Sequence, residues 1–166
     1  MIAELYDHEY DSNGFSKIRN TARAILINDV GELGYIYIKG EDDFGKRNHY
    51  ESCGGKIELG EDAITAVKRE VLEESGYECD VLDYLGMSIN RYNLISMISI
   101  SRYYVCRVTN KKNPHRTDME SLLMHDIEFK SIESWLKILS EGENKVDRLV
   151  HQREFEVLKA YQSLIQ

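Results

Sequence analysis

Three carboxylates, Glu70, Glu73 and Glu74, crowd one short segment beside Arg69. Projected on a helix at ~100° per residue, they share an arc of about 100°. Glu70 and Glu74 stand at (i, i+4) and Glu70 and Glu73 at (i, i+3), spacings at which like charges repel on a helix surface. Ile64, Val67 and Val71 fall in a neighbouring arc of roughly 60°, which is the expected buried stripe. Glu74 lies only ~20° from Val67, so it faces the core edge, where repulsion strengthens as the dielectric falls. Arg69 meets Glu73 at (i, i+4) but cannot neutralise three acids. A hard divalent cation can. Mg²⁺ takes carboxylate oxygens, waters and substrate phosphates, and such a site would do metal-assisted phosphate chemistry. A solvated acidic face is the plainer reading of any charge run, so the surroundings must decide.

The elements that position these acids are legible nearby. Gly54-Gly55 form a loop ahead of the helix. Glu61 and Asp62 sit where a negative charge complements the N-terminal dipole. Gly76 follows the last helical residue, where a left-handed cap favours glycine. Upstream, Ala22–Ile27 and Leu33–Lys39 flank an Asn/Asp/Gly turn and read as a hairpin. Residues 1–20 read as an arm with a first short element, and residues 40–51 as a long loop. Downstream, Tyr84–Asn90 and Ile95–Val108 read as strands, the second long and buried. Residues 109–125 read as a loop holding Pro114, and Ile127–Phe129 as a last short strand. Ser131 is a natural N-cap for a helix over Ile132–Leu139. From 145 to 165, apolar residues recur at three and four, an amphipathic C-terminal helix. Strands interleaved with helices indicate an α/β or α+β layered domain.

At 166 residues the chain is expected to form a single domain, 1–166. Apolar residues are 42% and charged residues 30%, which argues against disorder. A net charge of −8 excludes a nucleic-acid polymer as partner, because a phosphate backbone needs a basic footprint. No apolar run approaches the ~20 residues that span a bilayer, so no membrane is expected. The acidic N-terminus is no signal peptide, and three scattered cysteines (Cys53, Cys79, Cys106) make no disulfide scaffold; a cytoplasmic location follows.

The run Gly55, five residues, Glu61, seven residues, Arg69-Glu70, Val71, one residue, Glu73-Glu74, one residue, Gly76 resembles the Nudix box of the MutT-like hydrolases over 55–77. Tyr77 is the one departure, standing where the family prefers an aliphatic. The resemblance implies an α/β/α sandwich with a mixed sheet. It implies hydrolysis of a small nucleoside diphosphate linked to another moiety: an NTP, an oxidised NTP, ADP-ribose or a nucleotide sugar. It implies Mg²⁺ or Mn²⁺ held by Glu70, Glu73, Glu74 and the Gly54 carbonyl. Arg69 would orient the carboxylates, Glu61 would brace the loop, and Glu70 or Glu74 would act as general base. Glu120, Asp126 and Glu128 are downstream alternatives for that role.

Outside the box, Lys46, Arg47 and His49 form a local basic cluster suited to substrate phosphates. Tyr103 or Tyr104 could stack on a base. Two other readings carry weight. Cys53, just ahead of Gly54, stands where isopentenyl diphosphate isomerases of this fold keep a cysteine, although the intact carboxylate motif speaks against that enzyme. A non-catalytic nucleotide-sensing module is the other. A homodimer through the C-terminal helix or a free strand edge stays open.

Overall fold

The computed structural model describes residues 1–42 and 45–166. In chain order the elements are β1 (Ala3–Tyr6), β2 (Lys17–Ile27), β3 (Leu33–Asp42), β4 (Gly45–Glu51), β5 (Gly54–Lys56), α1 (Ala63–Ser75), β6 (Tyr77–Tyr92), β7 (Met97–Lys111), α2 (Asp118–Leu123), β8 (Met124–Lys130), α3 (Ile132–Leu139) and α4 (Lys145–Ile165). One mixed sheet runs β1-β6-β7-β2-β3-β4, with β5 added to β2 and β8 to β3. β2 lies parallel to β7 from Lys17↔Met97 to Ile27↔Arg107, whereas β6 and β7 form a long antiparallel hairpin.

Strand alternation builds two cores on opposite faces. Ala22, Ala24 and Leu26 of β2 face α1, where they bury Ala66, Val67 and Val71. Ile25 faces the other way, with Tyr35, Tyr103, Val105 and the α3–α4 residues Trp135, Val157 and Leu158. The helices therefore cover both faces, as the layered reading required. Within α1 the expected stripe is right at Val67 and Val71 and wrong at Ile64, which is 48% exposed; Ala66 takes its place.

The loop expected over residues 40–51 is mostly strand. β3 continues to Asp42, and β4 pairs with it from Ile36↔Glu51 to Asp42↔Gly45. The part of that expectation falling on Asp43 and Phe44 lies outside the described residues. The stretch 109–125 likewise contains β7's end and α2, which Thr117 and Glu120 close with a reciprocal capping box.

β4 ends the sheet, and its strand carries no apolar alternation because a polar stripe of α4 covers it. Asp147 Oδ1 accepts the Asn48 N–H at 3.0 Å and meets His49 Nδ1 at 2.9 Å. His151 Nε2 accepts the Tyr50 N–H at 3.0 Å, and Glu154 accepts the Ser52 hydroxyl at 3.1 Å. Positions 147, 151 and 154 step by a helix turn as 48, 50 and 52 step along the strand. His151 must be neutral to accept, with its proton on Nδ1 toward the Glu141 carbonyl. Burial lowers its pKa. A histidine depressed in the folded state supports folding above its ordinary value and loses that support as pH falls below it. The urea midpoint is therefore expected to drop between pH 7 and pH 5, and His151→Gln, which can still accept from Tyr50, should flatten that slope. An unchanged slope in the variant would refute the assignment.

Candidate active site

Helix α1 begins at Asp62, whose carboxylate accepts the Ile64 and Thr65 N–H groups at 2.9 and 3.0 Å. It ends at Gly76 with φ 75°, the left-handed cap. Between them Arg69 ties the acids together. Its Nε and Nη2 meet Glu61 at 2.9 and 3.0 Å, a two-point contact. Its Nη1 reaches Glu70 at 2.8 Å and Glu73 at 3.1 Å, and Nη2 also donates to the Lys56 carbonyl at 3.0 Å. Glu61 in turn accepts the Glu58 N–H at 3.0 Å. One guanidinium thus fixes the helix and the loop before it to each other. Its partners, Glu61 first, raise its already high pKa.

Glu70 and Glu74 lie buried on the sheet side of the helix. Glu74 accepts the Gly54 N–H at 2.8 Å. Burial pushes both carboxyls above their usual range, Glu74 well above it. The two glycines of β5 make this approach possible. A Cβ on Gly55 would meet the Glu70 carboxylate at 2.5 Å, and a Cβ on Gly54 would lie 2.6 Å from the Arg23 Cα and Cγ. The strand here is bare on both sides, with a carboxylate against one and an arginine against the other. Gly55→Ala is expected to fold, because only the mobile tip of Glu70 need move, but to lower activity at least about tenfold by displacing that carboxylate. Gly54→Ala is expected to fold poorly, since its φ is 147° and its Cβ would meet the Ala22 carbonyl at 2.3 Å. Equal stability losses in thermal melts would contradict this contrast.

Among the described residues, no three His, Cys, Asp or Glu side chains converge on one ion-sized space. Arg69 draws Glu70 and Glu73 to its side, and Gly54 holds Glu74. The donors nevertheless suit a hard cation: all are carboxylate oxygens, two of the groups are buried, and Gly55 leaves room beside them.

On the opposite face of β2 lies a cavity of about 490 Å³. Lys17, Arg19, Thr21 and Arg23, alternate residues of β2, form one wall; Arg47 and Glu51 come from β4, and Arg153 from α4. Tyr92, Leu94, Ile95 and Met97 of the β6–β7 hairpin close the far side with Leu149 and Val150. Burial alone would raise Glu51, but Arg23 at 3.7 Å and Arg153 at 3.1 Å outweigh it and hold its pKa at about 2.

The NUDIX domain family's sequence profile matches residues 17–154. The chain belongs to the Nudix family. It is 29% identical over 106 residues to the putative nudix hydrolase 1 of Caenorhabditis elegans, covering 63% of this chain but only 27% of that relative. A NUDIX hydrolase structure from Nitrosomonas europaea superposes with a TM-score of 0.68 at 16% identity, covering 89% of this chain and 90% of that one. The solution structure of the E. coli ORF135 protein gives 0.66 at 20% identity, covering 89% and 91%. Both share the fold.

Seen against the Nudix helix, the expected outlying residues fare unevenly. The basic cluster does not form. Arg47 lines the cavity and pairs with Asp42 at 2.8 Å, Lys46 is exposed on β4, and His49 is fully buried against Asp147. Alternation along the strand turns Lys46 away from Arg47 and His49, and these two, on one face, are taken up by different acids. Tyr103 is 0% exposed within the second core, so no ring face is open to a base, contrary to expectation; Tyr104 is buried as well. Cys53 is also 0% exposed, with burial raising its thiol pKa, which removes the basis of the isomerase reading. Glu120 is spent on the α2 cap, and Glu128 accepts from the Tyr50 hydroxyl at 2.9 Å and from Lys130. Sequence reading missed Lys17, Arg19, Arg23, Glu51 and Arg153. The odd-numbered bases of β2 carried the available signal, a period of two that places them on one face.

Proposed function

We propose that this chain is a divalent-metal-dependent hydrolase that cleaves the pyrophosphate linkage of a nucleoside diphosphate joined to another group, acting as one Nudix domain over 1–166. The observation that carries the reading is the pair of buried carboxylates, Glu70 and Glu74, pressed onto bare Gly54-Gly55 while Arg69 locks helix to loop. Burying acids in this way costs stability and has no packing reward; a cation gives it a purpose.

Glu70, Glu73 and Glu74, with the Gly54 carbonyl, would hold Mg²⁺ or Mn²⁺. Such a metal, when bound, supplies charge neutralisation at the diphosphate and a more acidic water. The chain's own residues do the rest. Arg69 positions the carboxylates without touching substrate. Glu70 or Glu74 takes the proton of the attacking water as its oxygen bonds to phosphorus and the bridging P–O bond breaks. The leaving phosphate carries away the bonding electron pair. The cavity on the other face of β2, whose volume is typical of ligand sites, would take the remainder of a nucleotide-sized molecule. The free thiols of Cys53, Cys79 and Cys106 favour action in the cytoplasm. No helix among the described residues is long and apolar enough to cross a membrane.

The test is incubation with Mg²⁺ or Mn²⁺ and a panel of NTPs, oxidised dGTP, ADP-ribose, nucleotide sugars and dinucleoside polyphosphates, following phosphate, pyrophosphate and nucleoside monophosphate. Metal-dependent release from at least one is expected. Tight nucleotide binding without any cleavage would favour a sensing module instead.

A further inference from the structure

Residues 7–10, in the arm between β1 and β2, are gripped from two sides. Asn93, in the turn between β6 and β7, donates its N–H to Asp7 Oδ2 at 2.9 Å. Its Nδ2 donates to the Asp7 and Tyr10 carbonyls at 3.1 and 2.8 Å. Asp7 Oδ1 accepts the Glu9 and Tyr10 N–H groups at 2.8 and 3.1 Å, which folds the segment onto itself. From the other side, Arg148 of α4 forks onto Glu9, Nε to Oε1 and Nη2 to Oε2, both at 2.7 Å. Lys145 donates to the Glu9 carbonyl at 2.7 Å and stands 4.8 Å from the centre of the Tyr10 ring. Asp7 and Tyr10 line the cavity on the β2 face, whereas residues 11–16 that follow are exposed throughout. The arm is thus held at the residues that border the cavity.

The sheet register says which end of the cavity this is. Arg23 stands opposite Gly54, beside the Nudix carboxylates. From Arg23 the strand runs back to Lys17, which pairs with Met97 just past the β6–β7 turn. Six residues at about 3.3 Å each put that turn roughly 20 Å from Arg23. Asn93 lies in the turn, so the segment it holds closes the far end, away from the carboxylates. The same segment crosses to the first turn of α4, whose Val146, Leu149 and Val150 form apolar lining. Ordering irregular backbone costs chain entropy, and a two-point guanidinium–carboxylate contact offsets it.

Resting on the hydrolase reading above, we propose that residues 7–10 are the end wall of its substrate cavity, that they limit the length of the group accepted beyond the diphosphate, and that the Glu9–Arg148 contact holds the wall in place. A group of fitting length gains from the apolar lining. A longer one must push the arm off α4.

Two substrate series read that length: ATP carrying N6-alkyl chains, and ADP esterified at its β-phosphate by alkyl chains, each from methyl to decyl, with Mg²⁺. Added methylenes gain from the apolar lining until the wall is met. In at least one series kcat/KM is expected to rise and then fall by about tenfold or more before decyl is reached. In Glu9→Gln and in Arg148→Gln that fall should move to longer chains or shrink below about threefold. Lys159→Gln, which removes an exposed base about three turns further along α4, should keep it. Amide exchange at Glu9, Tyr10 and Asn93 should quicken in both arm variants, because the arm itself has loosened. No fall in the wild type, or a fall unchanged in both variants, overturns the proposal. Calorimetry of the same series in EDTA separates it from the hydrolase reading. If affinity rises and then falls with length while nothing is cleaved, the hydrolase reading fails and the wall stands; affinity that is flat, or that rises through decyl, in both series overturns the wall whatever is cleaved.

Discussion

Replacing Glu74 by Gln is expected to cost about 10²–10⁴ in kcat while leaving the fold as stable as before or more so. The two effects part because Glu74 is a poor residue for stability. It is 6% exposed, its one hydrogen-bond partner among the described residues is the Gly54 N–H, and Glu70 and Glu51 add like charge nearby. An amide oxygen accepts the same N–H without bringing a charge into the interior. What it cannot do is take a proton from water or bind a cation strongly. The wild type should therefore gain stability with Mg²⁺, by about 2.7 kcal/mol at a hundredfold excess over Kd, and the variant should gain much less. Thermal melts with and without metal, beside steady-state rates, check both halves. Activity within threefold of wild type would remove Glu74 from the chemistry. Cys53→Ser is expected to remain active, because that thiol is packed in the core behind the site rather than at it.

How far the sequence reached depends on whether a signal was local. The caps at Ser131 and Gly76, and the apolar recurrence from Lys145 to Ile165, each concern neighbours within a turn or two, and the helices end where those signals stop. The carboxylates were legible for the same reason, sharing one helix. β4 was not. Its residues are charged and polar because α4 meets its backbone with Asp147 and His151, so the strand shows no apolar alternation. Tyr103 was misread for a related cause. β7 is central and covered on both faces, so Tyr103 and Tyr104 point opposite ways and are both buried. The cavity was the hardest feature to see. Its charges come from β2, β4 and α4, and only the sheet pairing brings Arg23 and Arg153 to one carboxylate.

Loss of Arg153 should be strongly damaging to stability. The side chain is 4% exposed and lies within a cluster of acids. Its Nη2 donates to Glu51 at 3.1 Å, its Nε to Glu154 at 3.0 Å, and its Nη1 to the Tyr92 hydroxyl at 3.2 Å. Arg153→Leu would leave Glu154 with the Ser52 hydroxyl and Glu51 with Arg23 at 3.7 Å. Stranding buried carboxylates in this way typically costs about 3–5 kcal/mol, read as a lowered urea midpoint at pH 7. Removing an acid as well should return part of it. Arg153→Leu with Glu154→Gln is expected to be more stable than Arg153→Leu alone, because Gln leaves no charge to strand. The pH dependence carries a second mark. Glu51 titrates at about 2 in the folded wild type, below its unfolded value, so its support is present at neutral pH and fades between about pH 5 and pH 2. Without Arg153 its folded pKa rises toward the unfolded one, and that acid limb should shrink. A loss under about 1 kcal/mol with the acid limb intact would mean that Arg23 alone carries Glu51, and that the arginine of α4 is there for the cavity rather than for the fold.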